Sequence, residues 1–165
     1  MPSITRILSV LALFGLLALP ATPGAWAAET DPAILAAVDS AIAAINAGSV
    51  ADAKAVFTDA PAAIIDDFPP FLCSGKTAVE DYSRDLKAIL TKYGIADWRF
   101  QRHQPRYLLA TEDRAWLVAP ASFPFLLGGK PQNVSADWVF VLEKIDGKWR
   151  VDSSVFADTH NTLLP

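Results

Sequence analysis

The sequence is poor in the residues that usually hold metals or form disulfides. Its 165 residues include one cysteine and two histidines. A single thiol cannot close a disulfide within the chain, and a transition-metal site usually takes three or four histidine, cysteine or carboxylate ligands. We therefore expect no disulfide framework, no metal site and no cofactor.

The sequence also lacks an excess of basic residues. Lysine and arginine number 14 against 18 aspartates and glutamates, so the formal net charge is −4. A nucleic-acid partner needs a basic face, and we expect none here. Hydrophobic residues make up 52% of the chain, too many for a disordered protein. The length fits one domain with a core of its own.

The single long apolar run lies at the N-terminus. Arg6 precedes the run from Ile7 to Leu19, which is shorter than the about 20 residues that a membrane span needs. Ala25-Trp26-Ala27 then places small residues where signal peptidase accepts them. This predicts a signal peptide over residues 1–27, a mature domain over residues 28–165, a periplasmic or secreted protein, and no membrane association after cleavage. An uncleaved anchor is the alternative.

Apolar residues recur with a helical period in the first half of the mature chain. The pattern predicts three helices, one opened by Asp31-Pro32 and ended at Gly48, one from Ser49 to Phe57, and one between Gly75 and Gly94. Ala62 to Ile65 reads as a short extended segment before a loop that contains two prolines.

From Asp97 onward the apolar period changes to two, which is typical of strands. We predict four strands, Trp98 to Ala110, Arg114 to Leu127, Val134 to Ile145 and Lys148 to Phe156. Short turns between them, such as Asp146-Gly147, favour an antiparallel sheet and hence an α+β domain. The third strand is apolar on both faces, so one face needs helices and the other a further cover, commonly a second subunit.

This order of elements resembles the SnoaL-like branch of the nuclear transport factor 2-like superfamily. The motifs are Asn46-Ala47-Gly48, Ile64-Ile65-Asp66-Asp67 leading to Ser74-Gly75, and Asp146-Gly147-Lys148-Trp149-Arg150-Val151, and the resemblance spans Asp31 to Ala157. It implies an α+β cone, in which a strongly curved antiparallel sheet wraps around helices and leaves an apolar pocket, and a homodimer formed through the sheet. Ketosteroid isomerases, polyketide cyclases and dehydratases share this fold with many non-catalytic members, so the pocket has to decide the function.

Asp66 and Asp67 are the clearest candidates for acid–base chemistry. They lie between Ile64-Ile65 and Phe68, and apolar neighbours raise the pKa of a carboxyl, as a base that works near neutrality requires. Asp67 approximately matches the position of the base in ketosteroid isomerases, so the resemblance favours it over Asp66. The alternative is that both are turn residues bonded to the local backbone.

Ketosteroid isomerases also use two hydrogen-bond donors to stabilise the oxyanion. By the resemblance these positions fall at Ala41 and Val139, and neither residue can donate from its side chain. One such donor is commonly worth about 3 kcal/mol, so we do not expect steroid isomerisation by that mechanism. His103 or Asp137 could serve as a partner of Asp67 in a dehydration or cyclisation. A surface histidine and a solvated carboxylate are the alternatives.

Aromatic residues are abundant on the predicted strands. We expect Tyr107, Trp116, Trp138 and Phe123 to line a pocket for a small apolar molecule; core filling or a dimer contact are the alternatives. The predicted function is an exported SnoaL-like domain that binds such a molecule, with or without turnover as an acid–base isomerase, cyclase or dehydratase. The alternative is a non-catalytic dimeric interaction domain whose cone is filled with side chains.

Overall fold

A computed structural model describes residues 31–159 of the chain, and the predicted signal peptide lies outside the described residues. The helices of the described part are α1 (Pro32–Asn46), α2 (Val50–Val56) and α3 (Ala78–Tyr93). Its strands are β1 (Ala63–Ile65), β2 (Leu72–Cys73), β3 (Ile95–Ala96), β4 (Gln101–Arg102), β5 (Tyr107–Ala110), β6 (Arg114–Leu127), β7 (Lys130–Ile145) and β8 (Lys148–Asp158). None of the helices within residues 31–159 is long and apolar enough to cross a membrane.

Local sequence signals account for the helix ends, and the three predicted helices are confirmed. The Asp31 carboxylate accepts a hydrogen bond from the Ala33 N–H at 2.9 Å, with Pro32 in the first turn of α1. The Ser49 hydroxyl accepts one from the Asp52 N–H at the start of α2. Gly94 ends α3 in the left-handed conformation.

The strands form one sheet, ordered β2-β1-β8-β7-β6-β3, with β4 and β5 also paired to β6. Its pairs are antiparallel except for β1 beside β8. The sheet is strongly curved around the three helices, and the predicted α+β cone is confirmed. Alternate residues of β6 to β8 are buried on the inner, concave face, while the outer face is half-exposed.

The first of the four predicted long strands is wrong as a continuous element. The chain from Ile95 to Ala110 pairs with β6 only in three short pieces. Asp97 has a φ of 49°, and the proline ring of Pro105 removes a backbone donor, so regular pairing stops at both places. The His103 N–H still donates to the Pro120 carbonyl at 2.8 Å, which keeps the segment against β6.

Two other strands also differ from prediction. β7 begins at Lys130, four residues earlier than predicted, because Gly128 and Gly129 both have positive φ values and close the turn by themselves. β2 has no periodic signal in its two residues, and it forms by pairing with β1. These differences leave the inner face of the predicted sheet intact.

Aromatic rings form the centre of the core on the concave face. The Phe100 ring lies 4.6 Å from that of Phe123, 5.2 Å from that of Trp138 and 5.1 Å from that of Phe156. The Asn46 side chain at the end of α1 holds Phe100 in place through two hydrogen bonds to its backbone, 2.7 and 2.9 Å long. These contacts tie Phe100 to the sheet and to the end of α1.

Candidate functional site

An apolar cavity lies between α3 and the concave face of the sheet. Its volume is about 100 Å³. The aromatic part of its wall comes from Phe68, Tyr93, Phe100, Phe123, Phe125 and Phe156, and the aliphatic part from Leu86, Ile89, Leu90, Ile95, Leu127 and Val134. The remaining lining residues are Asp66 and Asp67, so two carboxyl groups border a hollow that is otherwise almost wholly apolar.

The two aspartates are held at this place by the end of β1. Ile65 is the last residue of that strand, and the chain then turns sharply back into β2. The Phe71 N–H donates to the Phe68 carbonyl at 2.8 Å, which closes the loop. The loop therefore carries both carboxyl groups at the point where the sheet edge meets α3.

Asp66 is the buried member of the pair, with a relative exposure of 6%. The Tyr82 hydroxyl donates to its Oδ2 at 2.7 Å, and the Asp67 N–H donates to its Oδ1 at 2.9 Å. Burial raises the pKa of Asp66 well above its ordinary value, and the charge and hydrogen bonding of the neighbouring Asp67 carboxylate raise it further. The Tyr82 hydrogen bond opposes this rise without cancelling it.

Tyr82 is the partner that the sequence analysis missed as a functional residue. It is buried on α3, where burial and the adjacent Asp66 carboxyl raise the pKa of its phenol well above the usual value. The residue belongs to the apolar stripe of α3, so the sequence signalled a core residue. Its contact with a carboxyl 16 positions earlier arises only when α3 packs against β1.

Asp67 is half-buried and also borders the cavity. No lysine, arginine or histidine is among the described residues that line the cavity. The described wall beside Asp67 therefore supplies no fixed counter-ion, and a carboxylate that borders a cavity can accept a proton from a bound molecule.

His103 and Asp137 lie elsewhere. Both border an open groove on the outer face of the sheet, where His103 is exposed and Asp137 pairs with Arg106 at 2.8 Å. The sheet separates this groove from the cavity, so the structure does not bring either residue to Asp67. Val139 faces outward as well, and the inward positions on that strand are its neighbours Trp138 and Phe140.

The four predicted ligand-binding aromatics also divide between the two faces. Phe123 lines the cavity. Trp138 is fully buried beneath the cavity wall, and its indole N–H donates to the Ser154 hydroxyl at 2.8 Å. Tyr107 and Trp116 lie on the outer face with exposures of 61% and 41%, their rings nearly parallel and 6.5 Å apart. Of the four, Phe123 borders the cavity, and Tyr107, Trp116 and Trp138 are not among its described lining residues.

The cavity residues that sequence reasoning missed had a usable signal. Phe125 follows Phe123 by two positions on β6, so the period-two pattern places both rings on one face. Ile89 and Tyr93 belong to the helical stripe of α3. The periodicity does not show which apolar stripe faces a cavity and which packs against a neighbouring element.

Nothing in the described part of the chain suggests a metal centre. No group of three or more histidine, cysteine, aspartate or glutamate side chains within residues 31–159 is placed to hold an ion. Asp66 and Asp67 form a pair without a third ligand. Carboxyl groups in such a place are groups that can donate or accept a proton.

The fold and the site together define a cone-shaped α+β domain with an apolar cavity and a carboxyl pair. A family model described as the SnoaL-like domain matches residues 34–156, and the chain belongs to that family. The resemblance inferred from the sequence motifs is thereby confirmed. A comparison with curated proteins finds no match.

Several solved structures share the fold. A nuclear transport factor 2-like superfamily protein from Salmonella enterica is 14% identical, with a TM-score of 0.61 over 78% of this chain and 90% of that one. A ketosteroid isomerase-like protein from Erwinia carotovora is 15% identical, with a TM-score of 0.59 over 78% and 95%. A type 2 hexachlorocyclohexane dehydrochlorinase is 12% identical, with a TM-score of 0.65 over 81% and 88%. At these identities the similarity establishes the fold.

Proposed function

We propose that this protein binds a small apolar molecule in the cavity and acts on it as an acid–base isomerase, cyclase or dehydratase, with Asp67 as the base. The observation that carries the proposal is the carboxyl pair in the wall of an otherwise apolar hollow. An engineered apolar cavity of about 150 Å³ holds benzene, so a hollow of about 100 Å³ suits a molecule, or part of one, near the size of a single ring.

The walls and the carboxylate have separate roles in this proposal. The phenylalanine rings around Phe123 exclude water and bury the apolar body of the ligand. Asp67 takes a proton from a carbon or hydroxyl of the ligand and returns it at another position. Tyr93 is the one uncharged hydroxyl-bearing side chain among the described lining residues, and it is the donor available to a developing negative charge.

Ligand binding can be tested first and turnover second. Single-ring apolar compounds titrated into the protein should change the fluorescence of Trp98 and Trp138, which contact the aromatic cluster. Compounds that bind are then assayed for proton exchange with solvent and for conversion. Asp67→Asn should keep binding and lower turnover by at least about a hundredfold, within the range that general base catalysis contributes.

A matched control separates this effect from a general loss of charge. Asp146 lies in the hairpin turn before β8 with a φ of 50°, a conformation that asparagine accepts, so Asp146→Asn should retain full turnover. An Asp67→Asn variant as active as the parent protein would contradict the role of Asp67. A cavity that admits none of the compounds would contradict ligand binding.

We also propose that the chain forms a homodimer through the outer face of the sheet. Tyr107, Leu109 and Trp116 expose between 40% and 61% of their surface on this face, which supports an interface between copies. Light scattering should give a dimer for the parent protein and a monomer for Trp116→Lys. Leu72→Lys, a change at an exposed leucine on β2, should leave the dimer intact. A monomeric parent protein contradicts the proposal.

We further propose that the chain is exported and cut after Ala27. The support is the apolar run followed by Ala25-Trp26-Ala27. Expression of the full sequence in a bacterium with a periplasm should give a periplasmic protein whose intact mass and first residue correspond to a start at Ala28. A cytoplasmic product that retains Met1 contradicts export.

A further inference from the structure

We propose that Asp66 keeps its proton at neutral pH and donates it in a hydrogen bond to the Asp67 carboxylate, so that the two carboxyl groups hold one proton between them. The two residues are consecutive and border the same cavity. They differ sharply in their contact with solvent, because Asp66 is buried and Asp67 is half-buried. The protonation itself is independent of the proposed function, whereas its role in turnover rests on that function.

No positively charged side chain is among the described residues that line the cavity with Asp66. The titratable groups that act on it are Tyr82 from α3 and Asp67 from its own loop. Tyr93 from α3 borders the same cavity, and Cys73 from β2 acts on Tyr82. None of these side chains carries a positive charge in any protonation state. An ionised Asp66 would thus be a buried anion beside a second anion, with two hydrogen bonds as its only compensation.

Physical chemistry disfavours such a double anion. A buried charge without a counter-ion costs several kcal/mol and usually neutralises by binding a proton. Two carboxylates that share one site cannot both ionise easily, and the more buried of the pair keeps the proton. Burial, the largest cause, raises the pKa of Asp66, and the charge of Asp67 raises it further against the opposing Tyr82 hydrogen bond, so the direction of the shift agrees with this assignment.

The shared proton gives the pair a definite part in the proposed reaction. The Asp67 carboxylate takes a proton from the ligand while Asp66 remains hydrogen-bonded to it, and the pair then holds two protons. One proton returns to the ligand at a different atom, so no oxidant, reductant or co-reactant is consumed. Asp66 acts through Asp67 in this scheme and is a positioning residue.

Infrared spectroscopy of protein labelled with ¹³C-aspartate tests the proposal without any substrate. A protonated carboxyl has a C=O stretch well separated from that of a carboxylate, and ¹³C labelling assigns the band to aspartate. We expect the parent protein to show this acid band at neutral pH. Asp66→Asn should lose the band, and Asp67→Asn should keep it because Asp66 stays buried.

Two results would overturn the assignment. One is the absence of an acid band in the parent protein at neutral pH. The other is a band that survives in Asp66→Asn and disappears in Asp67→Asn, which would place the proton on Asp67. Should either asparagine variant fail to fold, the parent spectrum still decides, and Tyr82→Phe adds a second measurement. Loss of the Tyr82 hydroxyl removes a bond that favours the ionised form, so the band should persist to higher pH.

Turnover adds a separate readout. If the pair must hold one proton to be active, the turnover rate should pass through a maximum and fall at both lower and higher pH. Asp66→Asn, whose amide donates permanently, should remove the alkaline fall and keep the acid one. A protein with the acid band and no turnover contradicts the proposed function alone. A protein with turnover and no band contradicts the shared proton alone.

Discussion

At the scale of single residues, two pairs of buried polar side chains stand out in the core. Asp66 lies in an apolar wall with Tyr82 as its closest side-chain donor. Trp138 and Ser154 form a second buried polar pair deeper in the core. Each of these groups has its hydrogen-bond partner, which is the condition for burying polar atoms at modest cost.

The raised pKa of Asp66 predicts a specific dependence of stability on pH. An unfolded aspartate titrates near a pKa of about 3.9, and the folded protein binds this proton more tightly. Asp66 therefore contributes stability that is complete below about pH 4 and is lost as the pH rises through the folded-state pKa. We therefore expect the free energy of unfolding of Asp66→Asn, measured by urea denaturation, to increase relative to that of the parent protein as the pH rises over this window. A constant difference contradicts the shift.

Ser154→Ala should lower the free energy of unfolding by more than the loss of one hydroxyl group normally does. The change leaves the Trp138 indole N–H buried without a partner, which costs about 1–3 kcal/mol. Ser153→Ala is the matched control, since that side chain is half-buried and its hydroxyl bonds only to the adjacent Asp152 at 3.4 Å. If urea denaturation shows equal losses of unfolding free energy for the two variants, the indole hydrogen bond adds no stability of its own.

At the scale of elements, helix ends and strand breaks place the cavity lining. Gly94 stops α3 one residue after Tyr93 and sends the chain into β3, so that Ile95 joins the same wall. The φ of Gly94 is 62°, and no atom lies within 4 Å of the place where a Cβ would stand. The demand on this position is therefore one of backbone conformation.

Substitution at Gly94 tests this account. Gly94→Ala should lower the free energy of unfolding by about 1 kcal/mol, because alanine adopts the left-handed conformation at a cost of that order. Gly94→Asn should cost less, since asparagine tolerates positive φ more readily. Thermal or urea denaturation measures both, and an alanine variant no less stable than the asparagine variant contradicts the explanation.

The helices were predictable because their signals are local. A cap, a stripe of apolar residues and a terminal glycine all fall within one segment, as in α3. The segment between Ile95 and Ala110 was not, because its period-two pattern is compatible with a continuous strand and with short pieces alike. Pairing breaks at Asp97, whose positive φ is not evident from the sequence, and again near Pro105.

At the scale of the whole molecule, the curvature of the sheet determines which residues come into contact. It gathers β6, β7, β8 and α3 around one hollow, and leaves the other sheet face half-exposed. Residues of one strand thus belong to two different surfaces. Leu127 borders the cavity, and Leu126, one position before it, lies on the opposite face of β6.

This neighbouring pair provides a test of the cavity as a binding site. Leu127→Trp should fill part of the hollow and weaken the binding of single-ring compounds about tenfold, the effect of roughly 1.4 kcal/mol of lost contact. Leu126→Trp should leave the affinity unchanged. Calorimetric titration of the compounds that bind the parent protein measures both. Equal affinities for the two variants would place the ligand outside the cavity.

The sequence by itself determined the α+β class, the three helices, the β-rich second half and the family, because each depends on periodicity and short motifs within single segments. Only the tertiary structure decided that Asp66 and Tyr82 meet, that Phe123 faces a hollow, and that His103 and Asp137 lie on the opposite face. The physical reason is that alternation along a strand assigns residues to two faces without saying which is concave. That choice is made when the sheet closes around the helices and buries the larger apolar area.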